Sequence, residues 1–107
     1  MPDKYNTITS DFARSWVNYE SVTITTSSGL INYNVKAETT LFTKITYARE
    51  FVLRTTKPAN VRLNEVTNDT ITLFSNEGLN MAGIPISNVY LDSDPNAVIR
   101  IWIVGWN

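Results

Sequence analysis

Residues 92–96, Asp-Ser-Asp-Pro-Asn, form the group of side chains whose types and spacing come nearest to a cation site. Oxygen ligands at alternate positions of a loop are what Ca²⁺ requires. The match ends there, because Ala97 occupies the sixth position, where a calcium loop has glycine, and no acidic residue follows it. An ordinary turn rich in Asp, Pro and Asn explains the same residues. We therefore expect no metal and no other cofactor.

Catalytic chemistry is limited by the absence of both His and Cys. Without them the chain has no Ser-His or Cys-His nucleophile, no Cys/His zinc site and no imidazole base. Carboxylates, Tyr or Lys would have to act instead, and no pair of glutamates stands out as the two acids of a glycosidase. The glutamates all lie in polar or turn contexts: Glu20, Glu38, Glu50, Glu65 and Glu77. We expect that the protein is not an enzyme.

The aromatic residues offer a binding function instead. The chain has three Trp and five Tyr residues, and exposed aromatic rings on a β-sandwich can stack on sugar rings. Trp16, Trp102 and Trp106 are the candidates for such a platform. Rings of this size are also typical of cores and of subunit interfaces, because each carries a large apolar area. Carbohydrate binding is therefore the alternative to a role in assembly.

Composition excludes several classes of partner. The nine basic and ten acidic residues are scattered, and the net charge is −1, so the sequence shows neither a nucleic-acid patch nor a polybasic membrane anchor. The first twenty residues lack the basic start and apolar run of a secretory signal, and no stretch approaches the roughly 20 apolar residues of a membrane span. We expect a soluble chain, and its low net charge permits identical copies to associate closely.

The elements that position these residues are strands, and the last one, residues 97–106, has the densest run of β-branched and aromatic side chains. Side chains alternate between the two faces of a strand. One face carries Ala97, Ile99, Ile101 and Ile103, and the other carries Val98, Arg100, Trp102, Val104 and Trp106. Since both faces are largely apolar, we expect both to be covered, one by the core and the other by the rest of the chain or by another subunit.

Earlier segments read as shorter strands separated by turns. Residues 21–26 and 30–37 predict a hairpin, and residues 42–55 predict one long strand or two bent strands with a bulge near residues 48–50. Further strands are expected at 60–64, 71–74, 79–82 and 84–91, the last with Pro85 at a start or an edge. Residues 21–107 thus predict an all-β domain, an antiparallel β-sandwich or jelly-roll-like barrel. Residues 1–20 predict an extended arm or a short docked helix.

Several of these segments together resemble small β-sandwich structural proteins of tailed bacteriophage particles. The resemblance covers roughly residues 44–107 and lies in a rhythm of short strands: residues 51–54, 59–64, 70–73, 83–86, 89–91 and 99–103. It implies a non-enzymatic virion component, such as a capsid decoration, neck or tail subunit, present in many copies and assembled in the cytoplasm of a bacterial host.

Assembly is the function that this evidence predicts. The partners are other copies of the chain and other virion proteins, with no nucleic acid and no membrane. The predicted interface is the second face of the closing strand: Val98, Arg100, Trp102, Val104 and Trp106. An apolar patch of this kind usually marks an interaction site.

Overall fold

The computed structural model describes residues 18–106, and the regular secondary structure over that range is almost entirely β-strand. One short helix, α1 (Val35–Glu38), lies between the second and third strands. No helix in this described part is long and apolar enough to cross a membrane. The eight strands are β1 (Asn18–Thr25), β2 (Leu30–Asn34), β3 (Tyr47–Thr55), β4 (Ala59–Leu63), β5 (Ile71–Leu73), β6 (Gly78–Ile86), β7 (Val89–Ser93) and β8 (Val98–Trp106).

The strands form two four-stranded antiparallel sheets, in the orders β1-β8-β3-β6 and β2-β7-β4-β5. We call them the first and the second sheet. β1, β2, β3 and β4 pair antiparallel with β8, β7, β6 and β5 respectively. These pairs form one long antiparallel ribbon, and it folds over so that each consecutive pair β1-β2, β3-β4, β5-β6 and β7-β8 is divided between the two sheets. This is the strand order of an eight-stranded jelly roll. The predicted all-β sandwich is confirmed, and its strand order is that of a jelly roll.

Strand β8 is a central strand of the first sheet, paired with β1 on one side and β3 on the other. The predicted inward face lies in the core, where Ile99, Ile101 and Ile103 have no exposed surface. Buried side chains of both sheets pack against them, among them Phe51, Leu53, Val61, Val89 and Leu91. Alternation along the closing strand therefore predicted which of its residues build the core.

Strand β3 contains the predicted bulge. Ala48 pairs with Gly105 and Glu50 with Val104, so Arg49 is one extra residue opposite β8. A bulge reverses the alternation, and Ala48 is accordingly buried together with Phe51.

The prediction that the strand began at residue 42 was wrong. Phe42 lies in a turn with φ 69° and packs into the core from there. The Glu20 carboxylate holds this turn, accepting hydrogen bonds from Thr43 Oγ1 (2.6 Å) and Lys44 N (3.0 Å).

The predicted hairpin of residues 21–26 and 30–37 is also wrong. β1 pairs with β8 and β2 with β7, so residues 27–29 cross from one sheet to the other instead of joining two partners. The crossing runs beside the β7-β8 turn, and a Cβ on Gly29 would lie 2.7 Å from the Ser93 carbonyl oxygen. The second predicted strand also stops at Asn34, whose side chain accepts hydrogen bonds from Lys36 N and Ala37 N and begins α1.

The segment predicted as one strand over 84–91 is divided between the sheets. Ile86 ends β6 in the first sheet, and Val89 begins β7 in the second. Gly83, predicted to be a break, continues β6 with φ +82°. Pro85 was predicted to lie at a strand start or at an edge; it lies near the end of β6, which is an edge strand, so the second alternative is the correct one. The arm or helix predicted for residues 1–20 lies outside the described residues except for the start of β1.

Candidate functional site

The outward surface of the first sheet contains most of the predicted interface. Its centre is made by neighbouring strands β8 and β3, in register through the pairs Val104–Glu50, Trp102–Val52 and Arg100–Arg54. We call these six residues, with Val98, the β3/β8 face. Sequence analysis found the β8 half only. The alternation along residues 50–54 was visible in the sequence, but nothing there identified β3 as the neighbour of β8.

Four residues of the β3/β8 face are apolar. Trp102, Val52, Val98 and Val104 are each half-buried, although they point away from the core. Within residues 18–106 no helix or strand packs over them, because α1 contacts β2 and β7 of the other sheet. Flanking β1 adds Tyr19, 54% exposed, directly beside Val104. The described chain therefore leaves this surface open.

Arg100 lies on the ring of Trp102. Its guanidinium carbon is 4.5 Å from the ring centroid, a distance at which a cation is attracted to the π-face of an indole. The two side chains are two residues apart on one strand and so share one face. This contact holds the guanidinium against the apolar centre and covers part of the indole.

Charge is divided between the two ends of the face. Glu50 lies beside Val104 at one end, and Arg54 lies opposite Arg100 at the other. Like charges directly opposite each other on neighbouring strands are unfavourable. Beside the two arginines is a cleft of about 260 Å³, also lined by Thr55, Thr56, Asn76 and Val98. This end of the face is suited to a negatively charged group.

The second sheet has an outward surface of a different kind. Arg62 Nη2 donates to Asp92 Oδ2 (2.9 Å) and to Asn32 Oδ1 (2.8 Å), and Thr72 Oγ1 donates to Asn60 Oδ1 (3.1 Å). These polar groups satisfy one another, as on a surface that faces water. The two sheets thus differ in a way that the alternation pattern alone did not show.

Asp92 has a structural role. It lies in β7 and not in the turn predicted for residues 92–96, and its second oxygen accepts a hydrogen bond from Asn32 N. Both oxygens therefore face N–H donors. No group of three or more acidic, His or Cys side chains that could hold a metal ion occurs among the described residues. The turn itself is fixed by Asp94 N, which donates to Pro58 O (3.0 Å), and by Asn96 with φ 64°.

A second cleft, of about 450 Å³, opens between the β4-β5 loop and strand β6. Its floor is apolar and its rim is polar, and it is lined by Leu63, Asn64, Thr67, Asn68, Asp69, Ile71, Met81, Ile84 and Ile86. Asn64 and Asn68 use their side chains to bind the backbone at Pro85 and Leu63. The cleft is the gap between the free edges of the two sheets.

Of the three tryptophans predicted to form a platform for sugar binding, the structure describes the side chain of Trp102. Trp16 and the side chain of Trp106 lie outside what the structure describes, although the Trp106 backbone pairs with Tyr47 in the sheet. The described tryptophan, Trp102, has Arg100 over its ring. The guanidinium thus lies on the indole face, where a sugar would have to stack.

The phenol of Tyr33, which lies away from the β3/β8 face, has a raised pKa. Burial, and then the charge of Glu38, raises its pKa above the ordinary value of 10.0. Its hydroxyl donates to the Glu38 carbonyl (3.4 Å), which places it between β2 and α1 on the second sheet. The shift therefore reflects packing and not a site on the β3/β8 face.

Comparison with known proteins gives no family. No protein-family model matches the chain, and no curated protein matches it. Among solved structures, the chain is similar to a de novo designed double-stranded β-helix determined by solution NMR, with a TM-score of 0.42 and 11% identity over 81% of this chain and 97% of that one. This likeness carries no argument about function, and the fold is established by the strand order itself.

Proposed function

We propose that this protein is a non-enzymatic structural subunit that associates with copies of itself and with other proteins of a bacteriophage particle, as a decoration, neck or tail component. The observation that carries the proposal is the apolar β3/β8 face. Trp102, Val52, Val98 and Val104 lie outward, and no described segment of the chain covers them. Contact with another subunit removes such a surface from water, and aromatic anchors near its centre provide most of the energy.

The contrast between the two sheets supports this assignment. A monomer in which the outer faces of both sheets contact water would be expected to carry polar residues on both of those faces. Here Arg62, Asp92 and Asn60 lie on the outward surface of the second sheet, whereas Trp102 and Val52 lie at the centre of the first sheet. Jelly rolls occur in viral capsid proteins and in lectins, so the fold agrees with assembly but does not by itself select it.

Self-association is tested by light scattering after gel filtration, from about 10 to about 300 µM protein, a range that spans weak to moderate affinities. The wild-type chain should form an oligomer, and Trp102→Ala should shift it towards the monomer while circular dichroism still shows a β-fold. Tyr90→Ala is the matched control. It removes a half-buried aromatic from the outward surface of the second sheet and should leave the mass unchanged. A wild-type monomer at every concentration would contradict the proposal.

The particle assignment has its own test. Peptide mass spectrometry of phage particles purified from a culture that carries the coding sequence should detect the chain in many copies per particle. If the chain is absent from the particles, the virion role is refuted, whereas the result for self-association is unaffected.

A further inference from the structure

We infer that the chain forms a symmetric dimer in which the β3/β8 faces of two copies pack together, about a two-fold axis that lies between them and runs across the strands. The inference rests on the proposed function and names the partner and the geometry of the same surface. A two-fold interface uses the same patch on both subunits, so the patch must be complementary to itself. The β3/β8 face meets this condition through the order of its residues.

Six of the seven residues of the face form three rows that cross β8 and β3, and Val98 lies on β8 beyond the third row. The first row pairs Val104 with Glu50, the second pairs Trp102 with Val52, and the third pairs Arg100 with Arg54. The apolar row is therefore in the middle, with a carboxylate on one side and two guanidinium groups on the other.

Rotation about an axis along the middle row turns the face over and exchanges the outer rows. β3 then lies over β3 of the second copy, with Val52 over Val52 and Trp102 over Trp102. Glu50 of each copy faces Arg54 of the other, with Arg100 one strand away. This arrangement buries the apolar row and forms two equivalent charge pairs.

The other in-plane axis, parallel to the strands, is unfavourable. It exchanges β8 with β3 and leaves each row facing itself, so Arg54 lies over Arg100 of the second copy. Glu50 then faces Val104 and gains no cation. Like-charge contacts across an interface are unfavourable and select against an arrangement. Charge therefore selects the axis that runs across the strands.

The charged residues are available for these contacts. Glu50 and Arg54 are exposed and make no ion pair within residues 18–106, and Arg100 is exposed and contacts Trp102. Packed sheets are separated by about 10 Å, a gap that a glutamate and an arginine can bridge together. The sheet offers a footprint on the order of 500 Å² per copy from its strand spacing and rise, or about 1,000 Å² in total, which is the size of a weak or transient interface. The dimer should therefore be of weak to moderate affinity.

Charge reversal tests the axis, with sedimentation equilibrium to measure dimer dissociation. Glu50→Lys places two cations at each contact and Arg54→Glu places two anions there, so each should weaken the dimer about tenfold or more. The double variant Glu50→Lys/Arg54→Glu exchanges the charges and should restore dimerisation. An equimolar mixture of the two single variants should form a heterodimer. The matched control is Glu65→Lys, the same change at an exposed loop residue away from the face, which should leave the affinity unchanged.

The outcomes separate this inference from the proposed function. A wild-type monomer up to about 300 µM refutes both. If Trp102→Ala dissociates the oligomer but neither charge reversal does, self-association stands and the two-fold geometry is wrong. An Arg54→Glu variant that dimerises more tightly also refutes the inference, because it indicates the strand-parallel axis with Arg54 against Arg100.

Discussion

Ile101→Ala measures how much of the fold depends on the closing strand. Ile101 has no exposed surface and lies between two apolar neighbours on adjacent strands, the partly buried Val22 on β1 and the buried Leu53 on β3. The substitution removes three carbons, which at about 0.8 kcal/mol each gives about 2.4 kcal/mol of lost transfer free energy. A residual cavity of about 50 Å³ adds about 1.2 kcal/mol. We therefore expect the free energy of unfolding to fall by about 3.5 kcal/mol.

Urea unfolding followed by circular dichroism measures this change, at a protein concentration low enough to keep the chain monomeric. The midpoint of thermal unfolding should fall by about 15 °C for a domain of this size. Ile31→Ala deletes the same atoms from a strand position that is 84% exposed, and it should change the free energy of unfolding by less than about 0.5 kcal/mol. A cost below about 1 kcal/mol at Ile101, or equal costs at the two sites, would refute the assignment of that face to the core.

Three further substitutions test other parts of the fold. Gly105→Ala should destabilise by about 1–3 kcal/mol in chemical denaturation, because its Cβ would lie 2.0 Å from the Tyr47 carbonyl oxygen; wild-type stability would mean that the strands are farther apart there. Asp92→Ala leaves the guanidinium of Arg62, whose side chain is 18% exposed, without its carboxylate partner, and should cost about 1–3 kcal/mol, measured the same way. The raised pKa of Tyr33 means that the folded state holds the phenolic proton more tightly than the unfolded state. The stabilisation that comes from this tighter proton binding is therefore complete below pH 10 and is lost as pH rises through the folded-state pKa. Urea titrations at increasing alkaline pH should show that the free energy of unfolding falls more steeply for the wild type than for Tyr33→Phe. Equal slopes for the two proteins would contradict a raised pKa.

The sequence alone determined the features that depend on neighbouring residues. Alternation placed Ile99, Ile101 and Ile103 on one buried face of the closing strand, because side chains in a strand point alternately to its two faces. The bulge near residues 48–50 was also predicted correctly, and of the two positions predicted for Pro85, a strand start or an edge, the edge is the one observed. Both features depend on local backbone geometry. A bulge is one extra residue in one strand, and a proline has no backbone N–H to donate to the hydrogen bonds of a central strand.

Tertiary structure decided which strands are neighbours. The pattern of β1 is the same whether it pairs with β2 in a hairpin or with β8 at the far end of the chain, because alternation records burial and not the identity of the partner. The same limit applies to the candidate site. Val98, Arg100, Trp102 and Val104 could be selected from one strand, but Glu50, Val52 and Arg54 joined them only when β3 paired with β8. Register across a sheet is set by contacts distant in sequence, and it alone placed Arg54 opposite Arg100 and left Glu50 at the other end of the apolar row.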